Sequence, residues 1–306
     1  MTAVRLHAPA KLNLYLRILG RRPDGYHELE TLFQRIDLAD ELTFEPDTRL
    51  TLTCNRPELS RGPDNLVLRA AAALQQVTGT SRGARIHLEK RVPIAAGLGG
   101  GSSDSATALV GLNRLWELGL SLRQLRDVAA TLGSDVPFFL EPESVMIGRG
   151  RGERCEPVAG PLPVLWQVLV APAAGLSTKE VYEGFARPRP APERESLGLT
   201  ESPPSLTMCL HALRNGSLGE LAQGLWNDLQ PEAIRRCPVI QDIHTVLRRA
   251  GSLGVLTSGS GPAAFGLCTD AAHAGRVAEQ VRAEGRPDWF VHVVRTWNRE
   301  HASLVT

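Results

Sequence analysis

No Gly-Lys pair occurs anywhere in these 306 residues, so a Walker-type nucleotide loop is excluded at the outset. Cysteine is scarce and scattered: Cys54, Cys155, Cys209, Cys237 and Cys268 are odd in number and form no C-x-x-C pair. Neither a disulfide framework nor a zinc site is expected from them, and free thiols in a reducing compartment are. The eight histidines do not cluster, which argues against a protein-held transition metal. No sign of charge dominates either. The 34 basic and 33 acidic residues leave a net charge of +1, so no broad attraction to nucleic acid or to a membrane surface is expected. A long apolar run is also missing. The longest, Val164 to Ala174, is interrupted by Gln167 and Pro172 and is too short to cross a bilayer. With no signal- or transit-peptide pattern visible, the cytoplasm is the expected location. What remains, 42% hydrophobic and 22% charged, is ordinary for a globular protein with a sizeable core.

Against these absences stands one dense feature, the run Pro93-Ile94-Ala95-Ala96-Gly97-Leu98-Gly99-Gly100-Gly101-Ser102-Ser103-Asp104. Glycines let a backbone turn with its N–H groups pointing inward, and a following helix adds unpaired N–H groups with about half an elementary charge at its N-terminus. The run therefore reads as a phosphate cradle. It is not a dinucleotide fingerprint, because G-x-G-x-x-G from Gly97 meets Ser102 and from Gly99 meets Asp104. The helix after it is supported by Ala106, Leu109, Leu112 and Trp116 at helical spacing, with Ser102 or Ser103 expected to cap its start.

Along the chain, Val4 to Leu19 alternates as a strand and meets the turn signal Arg22-Pro23-Asp24-Gly25. Glu28 to Phe44 is mixed in period, Leu50 to Cys54 reads as a strand, and Asn65 to Val77 as a helix. Ala84 to Lys90 is a strand feeding the glycine run, and Leu122 to Leu132 a second helix after it. Beyond Gly152 come a strand at Val164 to Val170, a short helix at Thr178 to Phe185, and a proline-rich stretch from Arg187 to Pro204 that reads as a loop. Helices are expected at Leu206 to Arg214, Gly219 to Leu225 and Val239 to Ala250. Val255-Leu256-Thr257 then enters a second glycine loop, Ser258-Gly259-Ser260-Gly261-Pro262, from which Ala263 to Leu267 returns as a strand. Strands and helices mix without regular β-α-β alternation, so the fold class is α+β with two lobes rather than a doubly wound sheet.

Three of these segments in order, Ala8-Pro9-Ala10-Lys11-Leu12-Asn13-Leu14, the loop from Pro93 to Ser103, and Ser258 to Pro262, resemble the motifs of the GHMP kinases. These are small-molecule kinases named for galactose, homoserine, mevalonate and phosphomevalonate. Within the family, Arg22 to Leu29 and Gly133-Ser134-Asp135-Val136-Pro137-Phe138-Phe139 look like the branch whose acceptor is a cytidine-diphosphate sugar alcohol. The resemblance covers nearly the whole chain and is weakest in the proline-rich stretch and the last forty or so residues. It implies a two-lobed fold, with a ribosomal S5 domain 2-like N-terminal domain over residues 1–155 and a ferredoxin-like α+β C-terminal domain over 156–306. It also implies phosphoryl transfer from ATP, with Mg²⁺, to the acceptor's 2-hydroxyl, in non-mevalonate isoprenoid precursor synthesis. The competing readings are another GHMP kinase acting on mevalonate, homoserine or a sugar, and an inactive nucleotide-binding regulator of the same fold. A nucleic-acid module on the related S5-like fold would need a basic face, which the balanced charge disfavours.

The resemblance also assigns roles. The acceptor is a tertiary alcohol, crowded and poorly nucleophilic, so a carboxylate that takes its proton would help; Asp135 matches that base and Lys11 its partner. Taken alone, Asp135 reads as a turn or helix cap and Lys11 as a surface lysine. Yet Lys11 sits amid Leu12, Leu14 and Leu16, where a lysine needs a partner. Pro93, Ile94, Ala95, Ala96, Gly97, Leu98, Gly99, Gly100, Gly101, Ser102 and Ser103 would hold the ATP phosphates. No dedicated metal ligand set is seen, although the hydroxyl of Ser102 or Ser103 is placed to approach Mg²⁺. Asp104 is awkward beside phosphates unless it points away or serves the metal through water. Ser258, Gly259, Ser260 and Gly261 would add donors. Tyr26 and Tyr182 match the rings that sandwich cytosine, His27 the group that reads its edge, and Asn13 and Thr178 further polar contacts to the acceptor. Asp228 reads as a helix-end contact.

Overall fold

The alternating N-terminal segment folds as the first strand of a sheet that is buried on both faces near its middle. The computed structural model describes residues 3–187 and 203–298. Strands β1 (Val4–Arg21) and β2 (His27–Asp47) form one long antiparallel ribbon. The far edge of β2 is shared by two partners: β4 (Gly83–Glu89) pairs with its second half and β5 (Val145–Gly150) with its first. β3 (Leu50–Cys54) lies parallel to β4, and β6 (Arg154–Pro157) closes a hairpin with β5. This explains why Glu28 to Phe44 shows no clean period. Most of β2 is buried on both faces, so polar and apolar residues no longer alternate.

Helices α1 (Leu66–Thr78), α2 (Gly100–Leu115) and α3 (Leu122–Leu132) cover the β2–β4 half of this sheet, and share a core that includes Phe44, Leu74, Leu109 and Leu112. Asn65 caps α1 by accepting from Val67 N, and Ser121 with Gln124 forms a capping box on α3. The short α4 (Val136–Leu140) follows. After it come β7 (Trp166–Ala171) and α5 (Thr178–Phe185), the latter over the expected residues and capped by Ser177, which accepts from Glu180 N. The proline-rich expectation lies mostly outside the described residues.

A second sheet is fully antiparallel, in the order β11 (Phe290–Arg295), β7, β10 (Ala264–Cys268), β9 (Gly254–Thr257). Its chain also contributes α6 (Leu206–Asn215), α7 (Leu218–Gly224), α8 (Gln230–Arg236), α9 (Val239–Arg249) and α10 (Ala271–Glu284). α9 and α10 pack on one face through Ile243, Leu247, Val277 and Val281. The other face joins a core shared with the first sheet, where Leu12 and Leu14 meet Leu169, Phe265 and Leu267. β8 (Trp226–Asn227) crosses back to pair in parallel with β1. Asp228 follows it, and in contrast to the helix-end reading it accepts from Ile18 N at 2.7 Å and Trp226 Nε1 at 2.6 Å, fastening this crossing. The segments β5, β6, α8, α10 and β11 carried no expectation.

Candidate active site

A cleft of about 1260 Å³ opens where the two sheets meet, and most of the residues named from sequence line it. Its floor is β1. Register shifts between Pro9 and Lys11 and between Asn13 and Tyr15 bend the strand locally. Lys11 and Asn13, two residues apart, project to the cleft side, while Ala10, Leu12 and Leu14 enter the core. Lys11 Nζ lies 3.8 Å from Asp135 Oδ2 and donates to Asn13 Oδ1 at 2.5 Å. Asn13 Nδ2 donates to Thr31 Oγ1 at 2.8 Å, and Thr31 donates on to the carbonyl of Tyr15 at 2.6 Å. Lys11 is 4% exposed, so the partner that its apolar neighbours demanded is present. Burial lowers its pKa below the usual lysine value, and Asp135 opposes that drop.

Asp135 stands just before α4 at the cap position but makes no capping bond. Its carboxylate faces Lys11 and the cleft, which removes the cap reading. Gly152, in the turn after β5, lies beside the carboxylate, and a Cβ there would make ordinary contact with Asp135 Oδ1 at 3.6 Å.

The glycine run is held from several directions through its carbonyls. Leu98 O accepts from Lys11 N (2.9 Å), Ala96 O from Ala263 N (3.1 Å), Ala95 O from Leu176 N (3.2 Å) and Gly97 O from Ser258 Oγ (3.1 Å). The two glycine loops touch backbone to backbone. Gly97 has φ +80°, and a Cβ on it would fall 2.2 Å from Ser258 O. The helix begins differently from expectation. Gly99, at φ +69°, is the N-cap of α2 without any side-chain bond, so neither Ser102 nor Ser103 caps it. The left-handed backbone at Gly99 already sets the helix entry, which leaves the serines inside the first turn. Ser102 lines the cleft, whereas Ser103 is fully buried and points off the cleft wall. Thr178 and Ser260 share a 2.9 Å hydrogen bond that joins α5 to the second glycine loop. Asn227 braces that loop by donating to Thr257 O (2.8 Å) and Gly259 O (2.7 Å).

Asp104 and Lys90 both border the cleft, and the Asp104 carboxylate belongs to a buried cluster there. Lys90 Nζ donates to Asp104 Oδ2 at 2.9 Å and to Asp40 Oδ2 at 2.5 Å. Burial pushes the Asp104 carboxyl up to about 7, Lys90 pulling it down and Asp40 pushing it further up. Burial opposes the Lys90 charge, yet Asp104 and Asp40 hold its pKa above the usual value. Sequence reasoning missed Lys90 and Asp40. The visible signal was a lysine ending a strand immediately before the loop, but its partner lies fifty positions away.

At the other end of the cleft, Tyr26 is 54% exposed with the Arg151 guanidinium 4.8 Å from its ring centre. The His27 and Tyr182 rings lie 5.3 Å apart, tilted by 39°. Burial, then the charge of Arg21, lowers the His27 pKa. Burial and Asp135 push the Tyr182 hydroxyl well above its ordinary value. Arg151 is a further lining residue that sequence reasoning did not single out.

Comparison with known proteins agrees with this geometry. Residues 65–141 match the GHMP kinases N terminal domain and residues 209–287 the GHMP kinases C terminal domain. A 4-diphosphocytidyl-2-C-methyl-D-erythritol kinase of Pelotomaculum thermopropionicum is 43% identical over 293 residues, 95% of this chain and 97% of that protein. A crystal structure of 4-(cytidine 5'-diphospho)-2C-methyl-D-erythritol kinase superposes with a TM-score of 0.77 at 38% identity, covering 96% of this chain and all of that one. A homoserine kinase from Cytophaga hutchinsonii, at TM-score 0.73 and 18% identity over 97% of this chain and 95% of that one, shares the fold.

Proposed function

Because the chain belongs to the GHMP kinases, in their 4-diphosphocytidyl-2-C-methyl-D-erythritol kinase branch, it is an ATP-dependent kinase of isoprenoid precursor synthesis, and we propose how its cleft performs the transfer. The observation that carries the proposal is the Lys11–Asp135 pair, 3.8 Å apart between the phosphate loop and the aromatic end. Asp135 takes the proton of the acceptor's 2-hydroxyl as that oxygen attacks the γ-phosphorus and the bond from the γ-phosphorus to the bridging oxygen breaks, releasing ADP; the base contributes about 10²–10⁴-fold. Lys11 orients the carboxylate and offsets charge growing on the transferred group.

The loop, its carbonyls at residues 95–98 committed to the protein, offers backbone N–H groups to the phosphates, and the N-terminus of α2 adds its partial charge. Gly259 and Ser260, which line the cleft, complete that side, while the N–H groups of Ser258 and Gly261 are bonded to Ala263 O and Ser258 O. Ser102 is the loop hydroxyl that lines the cleft, and Asp104 is engaged by Lys90, so the protein offers few ligands. This suits Mg²⁺, which keeps phosphate and water oxygens around it; when bound, it neutralises phosphate charge. Tyr26 and Tyr182 flank the cytosine, His27 reads its edge, and Asn13 and Thr178 contact the acceptor. We place the division of the chain at residues 155 and 156, within β6, with β8 returning from the second part to the first sheet. Free thiols at all five cysteines support a cytoplasmic enzyme, and among the described residues no helix is long and apolar enough to cross a membrane.

The test offers purified protein ATP, Mg²⁺ and a panel of alcohols. Phosphorylation of the cytidine-diphosphate sugar alcohol at its 2-position is expected. Preference for mevalonate or homoserine would overturn the acceptor assignment.

A further inference from the structure

Three buried charges lie at the base of the phosphate loop, two of them, Lys90 and Asp104, at the cleft's edge, and none has a role in the transfer just described. Lys90 is 5% exposed, Asp104 4% and Asp40 0%. Their contacts have a pattern. Asp40 Oδ1 accepts from the backbone N–H groups of Arg91 (2.6 Å) and Val92 (2.8 Å), where the chain leaves β4 and enters the loop. Asp104 is the fifth residue of α2, one turn beyond the point where the chain leaves the loop. Lys90 Nζ joins the two carboxylates, so the entrance and the exit of the loop are tied to one ammonium group. The Lys90 contact is Asp104's one side-chain tie, since its Oδ1 has no hydrogen-bond partner among the described residues. The cluster also presses on the helix start. A Cβ on Gly100 would come within 3.1 Å of Lys90 Nζ and 3.2 Å of Val92 Cγ1.

Stability alone is a poor reason to keep such a group. Taking ions out of water costs several kcal/mol each by general estimate, and apolar residues of similar volume commonly serve the fold as well or better. Here one ammonium faces two carboxyl groups, and burial holds that of Asp104 up at about 7, beside a site for polyanions. Ion pairs and charge-assisted hydrogen bonds do supply fixed direction and distance. A loop whose function is to converge N–H groups on phosphates needs that more than it needs burial.

We propose that Asp40, Lys90 and Asp104 form a clasp of positioning residues that closes the base of the phosphate loop and so sets its grip on the nucleotide. This rests on the reading of the loop as the ATP phosphate site. It also accounts for a carboxylate next to phosphates: Asp104 is engaged by the Lys90 ammonium, and acts on the nucleotide through the loop.

Two variants separate this from a general structural role. Asp104→Ala opens the exit half of the clasp, while Asp104→Asn keeps an oxygen for Lys90 Nζ. For wild type and both variants, ATP affinity, KM for ATP, KM for the acceptor, thermal midpoint and amide exchange of residues 93–103 are measured. Asp104→Ala is expected to raise the KM for ATP about tenfold or more, to leave the acceptor KM within about twofold, and to speed amide exchange in the loop. Asp104→Asn is expected to restore most of the ATP affinity. Unchanged ATP KM and loop exchange in Asp104→Ala would overturn the clasp, as would parallel rises in both KM values that Asp104→Asn fails to rescue. Should Asp104→Ala not fold, Asp40→Asn, which keeps an oxygen for Arg91 N and Val92 N, tests the entrance half, and an unchanged KM for ATP there overturns the proposal. Wild-type protein that fails to bind ATP would instead remove the phosphate-site reading on which the clasp rests.

Discussion

The two ends of the cleft are built in opposite ways. At the nucleotide end, a glycine loop is fastened by backbone bonds to β1, to the segment before α5 and to the second glycine loop, with buried ions beneath it. At the acceptor end, Tyr26 is half in solvent, and the turn that carries it is held by exposed or half-exposed ion pairs such as Arg22–Asp24 and Arg22–Glu28. Exposed pairs of this kind contribute about 0–1 kcal/mol, and a region with few buried apolar contacts opens at low free energy. The difference is that of a preformed anion site and a surface that acquires its order from its ligand. Phosphates need donors already in place, because reorganising dipoles during transfer raises the barrier. A flat base needs only two faces to stack on.

The comparison can be broken at either end. The largest effect is expected where the ends meet. Lys11→Met should lower kcat by about 10²–10³-fold, the size of losing one preorganised charge-stabilising donor, with ATP and acceptor affinities changed far less; steady-state kinetics with each substrate varied will check this. At the nucleotide end, His244 donates to or accepts from Thr257 Oγ1 at 2.9 Å, behind the second glycine loop. Burial, with the charge of Arg248, lowers its pKa to about 4. A folded-state pKa below the unfolded value of 6.5 means the native state holds the neutral ring. Its contribution is therefore present above pH 6.5 and is lost as pH falls from 6.5 towards 4, by up to about 3 kcal/mol. His244→Gln should flatten that limb of a plot of thermal midpoint against pH, and an unchanged slope would count against it.

Gly97→Ala should come next. A left-handed residue with a Cβ costs about 1–3 kcal/mol in strain, and here it must also displace Ser258 O. Melting temperature and ATP affinity should both fall, with cytidine diphosphate binding retained. Tyr26→Ala sharpens the contrast from the other side. It should weaken acceptor binding by about 1–3 kcal/mol without moving the melting temperature or ATP affinity, as calorimetric titration and thermal melts can show. Equal destabilisation by Gly97→Ala and Tyr26→Ala would erase the distinction between the two ends.

The same contrast governs what could be read from sequence. The glycine loop, Lys11, Asp135, Tyr26 and His27 all lie in short contiguous motifs, and the structure brings them to one cleft. The capped helices α5 and α6 begin within a residue of where their patterns place them. What failed was long-range. The extent of β2 was hidden because β1 and two other strands bury it from both edges. The hairpin β5–β6 was too short, and α10 too weakly patterned, to stand out. The orientation of Asp104 depended on Lys90 and Asp40, which no local spacing links to it. At Gly99 a backbone conformation replaced the side-chain cap that two serines had suggested.

The central claim is that Asp135, next to Lys11 between the two ends, is the base. It is tested most directly by single-turnover phosphoryl transfer in Asp135→Asn, with ATP and acceptor affinities measured on the same protein. The account predicts both affinities near wild type and a transfer rate lower by about 10²–10⁴-fold. Transfer at a near-normal rate would contradict it.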